Sequence, residues 1–444
     1  MRGGRIATLA AVAVGVVLLA GLGGAAACRL TDLNCHLRAA PEWELTEVAG
    51  QRGGARSLNP QLQTRRVARG LDYPTDFDFL PDGRMLVALR TGLVEMVAQG
   101  RVRPKPVLDL RNRVSIWGLR GVMALAVDPT RASPVQFYVA YSVVDPRYPS
   151  PASGKPTTFR VSRFTLRDGV ASPASEKVIV GRVTGGSCTT QPTANCLPAD
   201  RDHIGADIAF RPDGTLLIAT GDGGPATANV QLVQRTDTLG GKILRVDRNG
   251  RGVRSNPFWN GDPDANRSKV WAYGLRNPFR LSTLTNGDVV VGDVGYNNAE
   301  ELDLVRRGGD YGWPCYEGEQ KTPEYRSKPF CATYYASHPS RRRAAWFVLP
   351  RPTWRTVIAG VPLKHATLLP EGFHESYAFG DWSVSKLWIA DPSTSRETLL
   401  PVSRVHVIES GAAGPVRLRV GPDGALYELA INTGEIWRIT AHEH

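Results

Sequence analysis

Six cysteines in 444 residues are too few for a small scaffold held by disulfides in place of a core. There is no Lys/Arg block and no basic helix, only short clusters such as Arg341-Arg342-Arg343. The formal net charge of +12 therefore reads as a scattered, arginine-biased surface, and no nucleic-acid partner is expected. Long amphipathic helical patterns are scarce, which disfavours a helical bundle. The chain lacks a Gly-x-Ser-x-Gly elbow, a phosphate-binding glycine loop and a dinucleotide fingerprint, so serine hydrolase, kinase and nicotinamide-enzyme readings have little behind them. Beyond the first 27 residues no apolar run is long enough to span a bilayer. What the chain does have is 42% hydrophobic residues, enough for a real core and too many for a disordered or collagen-like polymer.

The N-terminus carries an address. Arg2 and Arg5 precede an apolar run from Ile6 to about Leu22, followed by small residues up to Cys28. This is the pattern of a bacterial signal peptide over residues 1–27, with an uncleaved membrane anchor or a lipidated Cys28 as alternatives. All three place the rest of the protein outside the cytoplasm, secreted or tethered at the cell surface. The cysteines suit that compartment because they form three sequence-local pairs, Cys28/Cys35, Cys188/Cys196 and Cys315/Cys331. None has zinc-ligand spacing with a histidine partner. Structural disulfides are expected at 188/196 and 315/331.

Residues 28–65 read as an N-terminal extension without a clean period. From about 66 to 440 short apolar runs recur behind tight turns: Pro81-Asp82-Gly83, Pro212-Asp213-Gly214, Pro422-Asp423-Gly424 and the variant Asn286-Gly287-Asp288. Proline presets φ and glycine accepts a positive φ, so each triplet makes a turn, and the hexamers that follow read as buried strands. Many short strands recurring over some 370 residues favour an all-β, propeller-like array, without giving a blade count.

Four segments carry polar groups suited to chemistry. Asp202-His203 stands at a strand start, either as a general base with an orienting carboxylate or as a loop histidine satisfied locally. Thr220-Gly221-Asp222-Gly223-Gly224 ends the next strand, and its aspartate reads more readily as an Asx-turn than as a ligand. Arg276-Asn277-Pro278 offers a fixed cation and an amide, or a strand-end turn stopped by proline. Gly292-Asp293-Val294-Gly295-Tyr296 through Glu300-Glu301, leading to Asp310-Tyr311-Gly312-Trp313-Pro314, offers carbonyls and carboxylates of the kind a hard cation needs, or a solvated acidic loop.

Taken in this order the segments resemble the glucose/sorbosone dehydrogenase family, which includes soluble quinoprotein (PQQ-dependent) aldose sugar dehydrogenases. The resemblance rests on Asp-His-x-Gly, on Gly-x-Arg-Asn-Pro, and on Asp-Val-Gly followed by Glu-Glu and Gly-Gly-Asp-Tyr-Gly-Trp-Pro. It implies a six-bladed β-propeller with PQQ on its top face, oxidising the C1 hydroxyl of an aldose-type sugar. It further implies His203 as general base oriented by Asp202, and Arg276 and Asn277 on the quinone. Carbonyls of Gly295 and Tyr296 would hold the cofactor's Ca²⁺; Glu300 with the carbonyls of Glu301 and Tyr311 would hold a second, structural Ca²⁺. The chain departs from the family pattern at four positions that are usually polar or basic, now Leu119, Ser383, Gly414 and Val416, with Lys386, Arg417 and Arg419 displaced from register. Each lost cation removes a charge-assisted contact of about 1.5–3 kcal/mol to the cofactor's carboxylates. The alternative is a non-catalytic, calcium-stabilised propeller that binds glycans or protein partners.

Overall fold

The computed structural model describes residues 56–200, 202–224, 229–337, 341–391 and 399–442. The expected export segment, residues 1–27, and the Cys28/Cys35 pair lie outside them. Among the described residues no helix is long and apolar enough to cross a membrane. Nearly all regular structure is antiparallel sheet, arranged as six blades of a propeller.

The innermost strands, in chain order, are Pro74–Phe79, Val122–Ala132, Gly205–Phe210, Pro278–Thr283, Val357–Pro362 and Pro415–Val420. Each packs beside the next, and the sixth returns to the first. The chain's ends close the ring: Leu62–Ala68 pairs with Glu435–Ala441 at the outer side of blade 6. Ser57–Leu58 adds an edge to blade 5 by pairing with Glu409 and Ser410. Among the described residues, propeller strands are thus present from Ser57, ahead of the boundary at 66 expected from sequence. The core lies in apolar layers between adjacent blades. Leu217, Ala219 and Ile243 of blade 3, for example, meet Leu281, Val289 and Val291 of blade 4.

The four turn triplets read from sequence each join the first and second strands of a blade, blades 1, 3, 6 and 4 respectively. Every inner strand is also interrupted by a register shift after its first one or two pairs. An extra residue there bends the strand and re-aims the side chain that follows. In four blades that side chain is charged: Asp76, Asp207, Arg280 and Arg417, all buried.

These four side chains meet across the axis. Arg417 of blade 6 grips Asp76 of blade 1 (Nε–Oδ1 2.5 Å, Nη2–Oδ2 2.7 Å) and Asp207 of blade 3 (Nη2–Oδ1 2.6 Å, Nη1–Oδ2 2.9 Å). The carboxylates also accept backbone N–H groups of neighbouring inner strands, Leu125 onto Asp76 (2.9 Å) and Leu281 onto Asp207 (2.7 Å). Arg280 of blade 4 donates to the carbonyls of Val416 (2.8 Å), Thr75 (2.6 Å) and Met123 (3.2 Å). Burial alone would raise the Asp76 carboxyl, but Arg417, Arg419 and Arg280 more than offset it, and it stays ionised below the usual carboxylate range. Removing one partner from such a buried set strands the other's charge. Arg417→Met should therefore lower stability by about 3–5 kcal/mol in chemical denaturation. Adding Asp76→Asn and Asp207→Asn should restore part of that loss.

Candidate active site

At one end of the ring, the loops leading into the inner strands of blades 3 and 4 bring three of the sequence segments together. His203 lies two residues before the blade 3 strand, in a left-handed conformation (φ 47°), with its side chain 17% exposed. Its Nδ1 lies 2.9 Å from Asp222 Oδ1 and its Nε2 2.9 Å from Arg276 Nη2. A guanidinium has no acceptor and stays protonated, so Nε2 carries the lone pair and Nδ1 the proton, which it donates to Asp222.

The carboxylate that orients the histidine is thus Asp222 and not the expected Asp202. Asp202 lies in the field of the buried Arg120 guanidinium, on the blade 2 side. Asp222 is held from three directions: Trp313 Nε1 donates to its Oδ2 (2.9 Å), Gly224 N–H to its Oδ1 (3.0 Å), and its own N–H bonds the Arg276 carbonyl (2.8 Å). Burial pushes its carboxyl up, but His203 and Arg276 outweigh this and hold it below the ordinary range. Gly221 is required beside it, because a Cβ there would sit 1.7 Å from the His203 carbonyl oxygen.

Arg276 is buried between the rings of Tyr296 (5.4 Å) and Trp313 (5.5 Å). Its Nη1 donates to the carbonyls of Val294 (2.8 Å) and Gly295 (2.7 Å), while its Nε has no hydrogen-bond partner. Asp293 fixes the loop by accepting the N–H groups of Arg276 (2.9 Å) and Asn277 (2.6 Å). Asn277 Oδ1 in turn accepts Gly205 N–H (3.1 Å), tying blade 4 to blade 3.

The segment after Trp313 is a wall of this site. A disulfide joins Cys315 to Cys331 (Cα–Cα 5.3 Å), another joins Cys188 to Cys196 (5.6 Å), and both match the pairs expected from sequence. Trp313, Cys315, Tyr325, Cys331 and Tyr334 pack on Val230 and Val233. Glu317 caps the turn beside Arg276, accepting N–H groups of Tyr296 (2.6 Å), Asn297 (2.8 Å) and Asn298 (2.9 Å).

The remaining sequence candidates lie elsewhere. Lys386 opens the third strand of blade 5, half-buried, opposite Asp381 and Ser410. Ser383 Oγ bonds Thr356 Oγ1 (2.6 Å). Gly414 turns with φ 74° against the Asn432 side chain, and Val416 is core. Arg417 is locked in the axis, and Arg419 reaches Asp78 (3.4 Å) and the Phe77 carbonyl. Neither belongs to the His203 cluster. Leu119, 38% exposed, places an apolar side chain on the loop before the blade 2 inner strand.

The acids of blade 4 sort into two sets. Glu300 is fully buried and committed: Oε1 to Arg351 (2.6 Å), Oε2 to the N–H groups of Val357 (3.1 Å) and Gly295 (3.3 Å). It therefore does not offer the expected calcium ligand. Glu301 faces Asp293 directly across the sheet, and Asp303 follows two residues along the same strand. One carboxylate oxygen from each of the three lies within 4.8 Å of the others. Both Asp303 oxygens are buried without a hydrogen-bond partner. Burial is the main cause in each case: with Asp222 nearby it pushes Asp293 up to about 7, with Asp293 opposite it pushes Glu301 to about 8, and with Glu301 and Asp293 beside it Asp303 goes well above its usual range. Like charges placed directly opposite destabilise a sheet, and a hard divalent cation is the complement this set lacks.

Residues 71–438 match the glucose / sorbosone dehydrogenase family. The chain belongs to this family. It is 29% identical over 250 residues to the HIPL2 protein of Arabidopsis thaliana, covering 48% of this chain and 35% of that one. It is 29% identical over 144 residues to quinoprotein glucose dehydrogenase B of Acinetobacter calcoaceticus, covering 29% of each. The chain thus spans about a third of the length of these two curated relatives. The PQQ-bound form of aldose sugar dehydrogenase from Streptomyces coelicolor superposes with a TM-score of 0.62 at 20% identity, over 87% of this chain and 100% of that one. That likeness carries the six-bladed fold.

Two family-implied groups can be tested against these residues. A quinone with carboxylates fits beside His203, where the buried Arg276 guanidinium keeps an Nε without a hydrogen-bond partner. A calcium on the Gly295 carbonyl does not fit, because two guanidiniums already donate to that oxygen, Arg276 at 2.7 Å and Arg351 at 3.3 Å. The Asp293–Glu301–Asp303 set does fit a divalent cation. Binding there must displace protons from carboxyls poised at about 7 and 8. These raised values also mean that the metal-free protein loses stability as pH rises from the ordinary carboxylate range through about 8. Calorimetric titration should show Ca²⁺ binding at least about tenfold tighter at pH 8 than at pH 6. The thermal stabilisation by Ca²⁺ should grow in the same direction, and Asp303→Asn should weaken both.

Proposed function

We propose that the protein is an exported quinoprotein oxidoreductase that oxidises the C1 hydroxyl of an aldose-type sugar, with PQQ as cofactor. The observation that carries this reading is the state of His203: a neutral imidazole with its bare Nε2 toward the ligand face, its Nδ1–H fixed by Asp222, and a permanent cation beside it. Bound at Arg276, PQQ would supply the two-electron acceptor for the C1 hydride. The chain's own work is proton handling. His203 Nε2 exchanges its hydrogen bond with Arg276 for one from the sugar hydroxyl, then takes that proton as the C1 carbonyl forms and the C1–H electron pair departs. Asp222 stabilises the resulting imidazolium, and Trp313 keeps Asp222 in place. Arg276, released from Nε2, offers its guanidinium to oxygens that gain negative charge. Asn277 spends only its Oδ1 on Gly205, which leaves its NH₂ donors for the ligand. A divalent cation at Asp293, Glu301 and Asp303 would be structural, holding the strand that ends at the Gly295 turn.

Location outside the cytoplasm is part of the proposal. The signal-like residues 1–27 support it, with lipidation at Cys28 or an uncleaved anchor as the tethered variants. So do the two disulfides, which persist in oxidising compartments. A second reading, a non-catalytic propeller for glycans or protein partners, is favoured by the sequestration of Arg417 and Arg419, which leaves fewer cations for the cofactor's carboxylates.

Dye-coupled oxidation of a panel of aldoses by the PQQ-loaded protein separates the two readings. The dehydrogenase reading expects PQQ-dependent turnover that His203→Gln lowers by about 10²–10⁴-fold while PQQ is retained. It expects Asp222→Asn to lower kcat more than it changes KM. PQQ binding without turnover of any aldose, or no PQQ binding at all, would instead favour the binding module.

A further inference from the structure

We propose that Arg351 is a built-in substitute for the metal ion at the ligand face, so that the chain needs no cation on the Gly295 carbonyl. The inference rests on the quinoprotein reading only for the identity of the probe ligand. A carbonyl oxygen has two lone pairs. On Gly295 one receives Arg276 Nη1 at 2.7 Å and the other a longer, shared leg from Arg351 Nη2 at 3.3 Å, whose two hydrogens also serve Glu300 and Arg355. Calcium requires six to eight oxygens at about 2.3–2.6 Å. Here the adjoining carboxylate, Glu300, is fully consumed by Arg351 and two backbone N–H groups. An ion placed at Gly295 would face two guanidiniums, with Glu300 already committed to Arg351 and Glu317 to the N–H groups of Tyr296, Asn297 and Asn298.

Arg351 is held as a positioned charge. Its Nε and Nη2 bracket Glu300 Oε1 (3.0 and 2.6 Å), and Nη2 also donates to the Arg355 carbonyl (2.9 Å). Glu300 has no exposed side-chain surface, whereas the Arg351 side chain remains 26% exposed, on the rim beside the Gly295 turn. The arrangement therefore puts a fixed positive charge where an anionic or carbonyl-bearing ligand would otherwise need a metal. The ligand class that follows is a planar acid recognised by the Arg276 and Arg351 guanidiniums directly.

The test is the number of Ca²⁺ ions bound per chain, measured by equilibrium dialysis on the whole exported protein with and without PQQ. The wild type should show no gain in bound Ca²⁺ when PQQ is added. Arg351→Met, which frees one lone pair of the Gly295 carbonyl and Glu300 Oε1, should gain one ion. Its PQQ affinity should become calcium-dependent by about tenfold or more. Arg351→Lys, which keeps the charge but not the guanidinium fork, should gain no ion and should bind PQQ more weakly than wild type without becoming calcium-dependent, and circular dichroism on both variants checks that they fold. Uptake of an extra ion by the wild type on adding PQQ would overturn the proposal, as would a folded Arg351→Met that gains none. If wild type does not bind PQQ while Arg351→Met still gains its ion, the quinoprotein reading fails and this one stands.

Discussion

The structure depends on one buried guanidinium. Arg417 spans the propeller axis between Asp76 and Asp207, and Arg280 completes the plug by reaching carbonyls of blades 1, 2 and 6. An ion network of this kind repays its desolvation only when every partner is placed, so it acts mainly as a register pin. Each of its side chains follows a bulge, and a one-residue slip would turn all of them away from the axis. The site hangs from the same strands: His203 is four residues before Asp207, and Asn277 is three before Arg280. With so short a lever, fixing the axis fixes where the imidazole and guanidinium meet.

Charge is then distributed with little left over. Asp222 serves His203, Asp293 holds the Arg276-Asn277 backbone, Glu300 holds Arg351, and Glu317 caps the Tyr296 turn. Glu301 accepts the Gly318 N–H, Asp303 stands outside this pairing, and those two together with Asp293 define the place where an added cation has the most to neutralise. Guanidinium and carboxyls therefore meet around the Gly295 turn, where Arg276, Asp293, Glu301 and Glu317 line one small cavity.

Much of the fold was legible because turn chemistry is local. The Pro-Asp-Gly triplets and Asn286-Gly287-Asp288 mark the first hairpin of four blades, whereas blade 2 turns at Ser133-Pro134 and blade 5 replaces its turn with residues 363–376. Strand counting from sequence therefore could not reach six, and the count came from resemblance. Asp202 was a natural partner for His203 by adjacency. The left-handed backbone at His203 instead turns the ring toward Asp222, nineteen residues on. Asp222 does make the Asx-type contact its glycine-rich turn suggested, to Gly224, and bonds the imidazole as well. The alternation Glu301-Leu302-Asp303 was a readable signal for two acids on one face of a strand. Axial charges were readable too, as Asp or Arg two residues after the start of an inner strand. Arg351 had no local signal, since its partners Gly295 and Glu300 lie more than fifty residues away.

The account stands on His203 being a neutral base fixed through Nδ1. Selective ¹⁵N-histidine labelling, with the His203 signals assigned by difference against His203→Gln, reads this directly. The account predicts a protonated, pyrrole-type Nδ1 and a bare Nε2 at neutral pH, with that tautomer lost in Asp222→Asn. A proton on Nε2 in the wild type, or a tautomer indifferent to Asp222, would contradict it.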